Sequence, residues 1–227
     1  MDGELSASPP VRRGATPLPQ ALALAPLLRR IAGLALALEA ADPAVAALIG
    51  RLTAAEDALR DLVPADIAPR MAAGDGGASE AGGRVYLDHS HDIGAFNPCF
   101  PEYHFDRIDG ETASGHVVFP LVYEGPPGLV HGGFLAVFFD CVMQHQNCVT
   151  GLSGKTRSLQ VTFRRSTPVL TELRFDISRS EVERGIASTA RLLLDDEVLS
   201  IGEATTMALP PQKLTGHRFG KRRAETS

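Results

Sequence analysis

Three features of this sequence have residue types suited to chemistry. The first is His131-Gly132-Gly133, at the head of an apolar run over residues 132–149. Adjacent glycines at a helix start let another group approach the backbone. The first amides of a helix lack internal partners and carry the positive end of its dipole. Such a start can hold an oxyanion or a phosphate, or it can be a plain loop-to-helix turn. The second feature is Asp140, nine residues after His131 and set among Phe138, Phe139, Cys141 and Val142. It lies too deep to cap the helix. A carboxylate buried there needs partners, and desolvation would lift its pKa from about 3.9 toward the range of a general base. It could also belong to a local polar stripe, because Ala136, Asp140, Gln144 and Asn147 share one helical face by their spacing. The third feature is Thr156, which opens a Thr-x-x-Leu-x-Val-x-Phe-x-Arg segment.

These residues must be positioned by the elements around them. Residues 132–149 show no strand alternation and are apolar on nearly every side, with Phe134, Leu135, Val137, Phe138, Phe139, Val142 and Met143. A helix of that kind belongs inside something. Four strand candidates follow, over 156–165, 172–182, 187–194 and 198–209. In the first, Leu159, Val161 and Phe163 alternate with Ser158, Gln160, Thr162 and Arg164, the period of a strand. Asp195-Asp196 marks a tight turn between the last two. Ahead of the long helix, the run from Gly115 through Tyr123 also reads as a strand, and Gly125-Pro126-Pro127-Gly128 breaks it. Residues 86–107 read as irregular. Strands joined by short links imply an antiparallel sheet. A sheet curling around one apolar helix is an α+β architecture.

The N-terminal part has a different texture. Residues 1–17 read as a loose tail and residues 18–71 as a helical extension. Its first helix covers 18–38. Asp42-Pro43 then reads as a cap followed by proline at the first helical position. Val45, Leu48, Ile49, Leu52, Ala55, Leu59 and Leu62 make one apolar face of a second helix, with Arg51, Glu56, Asp57 and Arg60 off it. Pro64 and Pro69 are expected to end it. Residues 72–84 read as a flexible linker, 85–209 as the main domain and 210–227 as a basic tail.

Composition narrows the function classes. The chain has 227 residues, 44% hydrophobic and 22% charged, which is ordinary for a globular protein with a core. A net charge of −5 does not point to nucleic acid. Three cysteines and no Cys-x-x-Cys pair exclude a disulfide scaffold, a zinc ribbon and a thioredoxin-type motif, and favour a reducing, cytoplasmic setting. Arg29 and Arg30 interrupt the apolar stretch over 21–38, so it does not read as a membrane span or a signal segment.

Taken together, His131-Gly132-Gly133, Asp140 nine residues on and the strand opening at Thr156 resemble the hotdog-fold thioesterase superfamily. The likeness is to its phenylacetate-pathway, hydroxybenzoyl-CoA thioesterase-like and mammalian thioesterase superfamily member branches, and it covers about residues 112–209. It implies a hotdog fold, an antiparallel sheet wrapped around a long buried helix, with the helical extension added. It further implies a homodimer, possibly a tetramer, with active sites at the subunit boundary and an acyl-CoA thioester as substrate. No metal and no cofactor are expected, and neither nucleic acid nor membrane is expected as a partner. Carried over by position, Asp140 is the nucleophile or the general base that activates water. Gly132, with Gly133 nearby, supplies backbone N–H to the thioester oxygen from the other subunit. Thr156 hydrogen-bonds the water or the carboxylate, and His131 orients the helix start. Asn97, Gln144, Ser158 and Arg157 are placed beside the substrate with Gly133, Asn97 because Asn97-Pro98 matches an Asn-Pro such proteins often carry upstream.

The sequence also departs from that branch. The strand ends Arg164-Arg165-Ser166-Thr167-Pro168 rather than in a compact Arg-Pro, and Gln144, His145, Gln146 and Asn147 make the helix end unusually polar. The hydratase signature Asp-x-Asn-Pro-x-His is not matched around Asn97-Pro98. Asp140 and His145, five residues apart, do not face each other. Lys155, Arg157, Arg164 and Arg165 could meet coenzyme A phosphates or form a solvated strand face. Buried cysteine is usually inert packing, so Cys141 and Cys148 are not read as reactive. The alternative to an acyl-CoA thioesterase is a non-catalytic acyl-thioester binding or regulatory protein on the same fold.

Overall fold

The computed structural model describes residues 16–63, 69–71, 84–87, 89, 91–151, 154–183 and 185–208. All but the last residue of the linker expected over 72–84, the basic tail and nearly all of the first 17 residues lie outside these.

Two helices lead the chain, α1 at Pro19–Leu36 and α2 at Pro43–Arg60. Asp42 caps α2 as expected, its carboxylate accepting from the Ala44 amide at 2.7 Å, with Pro43 at the first helical position. The helix stops at Arg60, before either proline. Pro69 instead begins a short strand, β1 (Pro69–Met71), which pairs in parallel with β2 (Arg84–Tyr86).

Next come α3 (Ile93–Phe96), β3 (Tyr103–Ile108), β4 (Thr112–Val118), a 3₁₀ turn at Leu121–Tyr123, and the long helix α4 (Gly132–Val149). The last four elements are β5 (Gly154–Phe163), β6 (Glu172–Val182), β7 (Gly185–Leu194) and β8 (Glu197–Ala208). β3 lies within the stretch expected to be irregular. Its residues Tyr-His-Phe-Asp-Arg-Ile alternate too imperfectly to signal a strand, and a bulge between Phe105 and Arg107 breaks the register. The strand expected to run on to Tyr123 instead ends at Val118, and the chain turns through Pro120.

The main sheet has six strands in the order β3-β4-β6-β7-β8-β5, and every neighbouring pair is antiparallel. β5 therefore does not lie beside β6. It follows α4 to the far edge and, among the described residues, pairs only with β8. The sheet wraps part of α4. Phe138, Phe139, Val142 and Met143 are almost fully buried against Leu173, Phe175, Ala190 and Leu192. Close approach needs small residues beneath the helix, and Gly202 of β8 is one: a Cβ there would lie 2.5 Å from the Phe139 ring. The opposite stripe of α4, with Gly133, Ala136, Val137 and Asp140, is exposed or half-buried.

The first helix of the extension is not a loose appendage. Ala25 and Arg29, one turn apart, are the buried residues of α1. The Arg29 guanidinium donates to Glu102 at 2.9 Å and to the carbonyls of Gly94, Asn97 (3.3 Å) and Phe100 (3.1 Å). An arginine that would be a defect in a membrane span is thus the anchor of the helix. No helix among the described residues is long and apolar enough to cross a membrane. Beneath the anchor, Asp92 accepts from the Gly94 amide at 2.9 Å and the Tyr103 amide at 3.3 Å. Burial outweighs these bonds and pushes its carboxyl up to about 7.

Two expectations follow. Arg29→Ala strands carbonyls that the guanidinium satisfies, a loss of about 2–3 kcal/mol confined to the seat of α1. Amide exchange in α1 should quicken about 30- to 150-fold, while exchange in β6 to β8 stays at the wild-type rate. Uniform acceleration across the chain would contradict that seat. For Asp92, the raised pKa means the folded chain keeps a proton that the unfolded chain has lost between about pH 4 and about pH 7. Its contribution therefore falls as pH rises through that window and levels off above it. The thermal midpoint of wild type should drop relative to Asp92→Asn over the same range. Parallel midpoint curves would show that Asp92 does not titrate there.

Candidate functional site

The site is built at the open edge of the sheet. α4 presents Asp140 and Gln144, one turn apart, toward β5. The Thr156 hydroxyl donates to Asp140 Oδ1 at 2.6 Å. Thr156 Oγ1 in turn accepts from Gln144 Nε2 at 2.7 Å, and that amide also donates to Thr206 Oγ1 of β8 at 2.9 Å. The result is a directed chain, Gln144 to Thr156 to Asp140. It fixes the Thr156 proton on the carboxylate and leaves the other carboxylate oxygen without a described donor.

A local irregularity makes this chain possible. Along β5, Thr156 shares its parity with Ser158, on the face opposite Leu159 and Val161. Regular pleating would turn it away from the helix. The register against β8 slips between Thr156 and Ser158, with Arg157 as the extra residue. This bulge restores Thr156 to the same side as Leu159 and Val161, which pack on the core. Arg157 and Ser158 are exposed.

The start of α4 is held as firmly. His131 is its N-cap. The imidazole Nδ1 accepts from the Gly133 amide at 3.0 Å, and the backbone amide of His131 donates to the Tyr123 carbonyl at 2.9 Å. The Val130 amide donates to the Thr167 carbonyl at 2.8 Å. The preceding turn needs a left-handed residue, which Gly128 supplies at φ +76°. The Gly133 amide, expected beside Gly132 as a donor to substrate, is thus engaged by His131. The Gly132 amide donates to no described residue. Gly132 lines a cleft of about 540 Å³ together with Leu135, Phe163, Arg164, Arg165 and Thr167 among others. Phe163 stands over it: a Cβ on Gly132 would meet the ring edge at 3.0 Å.

The structure therefore brings Asp140, Thr156 and Gln144 into direct contact and sets His131, Gly132 and Gly133 together at the helix start. Asn97 belongs elsewhere in the chain. Its side-chain oxygen accepts from the Cys99 amide at 3.1 Å and its carbonyl accepts from Arg29. The expected polar stripe divides: Asp140 and Gln144 face Thr156, whereas Asn147 accepts from Arg179 Nε at 2.8 Å in a buried cap of the helix end. Asp140 is half-buried in the single chain rather than enclosed. His145 points away from it and bonds the Tyr103 hydroxyl at 3.0 Å. Burial holds the Cys141 thiol well above its ordinary pKa, in keeping with inert packing. No group of metal-ligating side chains is gathered among the described residues, His89 and His91 included. Thr206 was not anticipated. Only the β5–β8 register places it, and nothing in its neighbours Thr205 and Met207 distinguishes it.

No protein-family model matches the chain, and no curated protein matches it. Solved structures do. A crystal structure of a thioesterase superfamily protein superposes with TM-score 0.65, covering 82% of this chain and 94% of that one at 20% identity. A putative thioesterase, a phenylacetic acid degradation-related protein from Ralstonia eutropha JMP134, gives TM-score 0.43 at 21% identity over 47% of this chain and 84% of its own. Thioesterase superfamily member 2 from Mus musculus gives TM-score 0.43 at 13% identity over 46% of this chain and 80% of its own.

The Gln144–Thr156–Asp140 chain gives a checkable expectation. Thr156→Val and Gln144→Leu should each cost about 1–2 kcal/mol in urea unfolding. The double variant should lose less than the two together, by about 1 kcal/mol, because they share one hydrogen bond. Full additivity would mean the two side chains are not coupled. The first of these superpositions extends well beyond the sheet and α4, and it shows that this chain has a hotdog-type fold: a six-stranded antiparallel sheet partly wrapping one long helix.

Proposed function

We propose that this chain is an acyl-CoA thioester hydrolase that works as a homodimer. The observation that carries the reading is the carboxylate of Asp140, held by Thr156 at an uncovered edge while the Gly132 amide remains open at the helix start. The distance between them explains the need for a second copy. Eight residues of α-helix rise about 12 Å. One chain cannot place both its own Gly132 amide and its own Asp140 on a single carbonyl. The exposed stripe of α4 and the unpaired edge of β5 offer the surfaces for a partner. A two-fold dimer would set Gly132 of one copy against Asp140 of the other, giving two equivalent sites.

In that arrangement the Gly132 N–H and the start of the α4 dipole stabilise the negative charge that develops on the thioester oxygen. Asp140 takes a proton from water as the water oxygen attacks the carbonyl carbon, or attacks that carbon itself. Collapse of the tetrahedral intermediate releases the coenzyme A thiolate, which takes up a proton; where Asp140 has attacked directly, water then hydrolyses the acyl-aspartyl anhydride to the free acid and restores the carboxylate. Thr156 holds one carboxylate oxygen, so the other faces the substrate. His131 keeps the helix start in place by capping Gly133. Arg164 and Arg165, beside the Gly132 cleft, offer positive charge to the phosphates of coenzyme A, and Arg157 and Ser158 lie on the same edge strand.

The test is free-thiol release from a panel of short, long and aromatic acyl-CoAs. Wild type should turn over at least one class, and Asp140→Asn should fall by about 100-fold or more with its oligomeric state intact. Equal rates in both would remove Asp140 from the reaction. Saturable acyl-CoA binding without turnover in either would mean an acyl-thioester binding protein on the same fold.

A further inference from the structure

The second helix has no place in the mechanism and no seat in the fold. α2 buries none of its residues, and Ile49, Leu52 and Leu59 are 59%, 42% and 53% exposed. An isolated helix of this length is marginal in water, and an apolar face of this extent is covered in a stable assembly.

The pattern of the face identifies its cover. Within α2, Val45, Leu52 and Leu59 repeat every seven residues, and Leu48 and Ala55 fall three residues after the first two. These are the a and d positions of a short coiled-coil seam, apolar at all five. Gly50 and Asp57 fall at the outermost positions. The flanking charges then select the orientation. Arg51 sits at g and Glu56 at the following e, the spacing at which two parallel, in-register helices form reciprocal ion pairs. An antiparallel pair sets g against g and e against e, leaving Arg51 opposite Ala58 and Glu56 opposite Ile49. In the single chain Arg51 makes no ion pair among the described residues. Glu56 is spent on an exposed contact with Arg60 at 2.8 Å, which is easily exchanged.

We propose that α2 forms a parallel, in-register, two-stranded coiled coil with α2 of a second copy of this chain. The seam is short. Its anchorage to a folded body raises the effective concentration of the two helices once any other surface brings the copies together. The inference does not depend on the proposed reaction, because no residue of the seam touches the Asp140 site.

The experiment uses the full chain with Cys99, the exposed native cysteine, changed to serine. Ala55→Cys places a thiol at a d position, and Ala47→Cys places one on the outer face as a control. Facing d positions of a parallel pair lie within reach of a disulfide. Mild oxidation should convert most A55C chains to a covalent dimer and leave A47C and the parent as monomers on a non-reducing gel. Adding Arg51→Glu to A55C should slow cross-linking several-fold, and adding Glu56→Arg to that should restore it. Absence of the A55C dimer would overturn the proposal in favour of another cover, such as α1 of the same chain or a different protein. Equal cross-linking of A55C and A47C, or failure of the charge exchange to restore the rate, would overturn it as well.

Discussion

The enclosure of α4 is the constraint on which the rest of this structure depends. A helix with phenylalanines at 134, 138 and 139 cannot stand in water, and one antiparallel sheet cannot surround it completely. The sheet curls around the side bearing Phe138, Phe139, Val142 and Met143, and it brings Gly202 and Ala190 close beneath them. Burying side chains of this size contributes roughly 1.5–3 kcal/mol each. The stripe left over carries Asp140. The partial wrapping that stabilises the helix is thus also what leaves a carboxylate accessible at the edge of the sheet.

That edge is polar by construction. Gln144 is buried, and its amide nitrogen is satisfied by two threonine hydroxyls on neighbouring strands. The arrangement ties α4 to β5 and β8 through groups that would be expensive to leave unpaired. It also orients Thr156 by occupying its acceptor side, so the hydroxyl proton goes to Asp140. At the other end of the helix, Asn147 with Arg179, and Gln146 with the Asp109 carbonyl, close the last turn in the same manner. The polar helix end that sets this sequence apart from the thioesterase branch therefore has two roles. Gln144 joins the Thr156–Asp140 chain of the candidate site, and Gln146 and Asn147 serve the packing.

The N-terminal helices differ from each other in kind. α1 is held by one buried arginine that satisfies three carbonyls and a carboxylate, which ties it to α3 and to the loop leading into β3. Its tie passes through the loop around Asn97, so that residue's polar atoms serve the seat of α1. α2 has no comparable anchor, and its seam of apolar positions faces outward.

Much of this was open to reading in the chain itself. The period of Val45, Leu48, Leu52 and Leu59, the Asp42-Pro43 cap and the unbroken apolarity of residues 132–149 depend on neighbours a few positions apart, so helix geometry alone decides them. Asp140 stood out because a carboxylate amid phenylalanines demands an explanation. Tertiary structure decided what depends on pairing between distant segments. β3 became a strand because β4 offered it a partner, not because its own alternation is strong. Thr156 reached Asp140 only through the bulge at Arg157, which reverses the parity that the strand pattern implies. Thr206 entered through strand register, Arg29 turned inward because four acceptors from residues 94–102 converge on it, and the Gly133 amide went to His131. In each case the deciding partner is far away in sequence or depends on backbone geometry, and composition and spacing carry no trace of it.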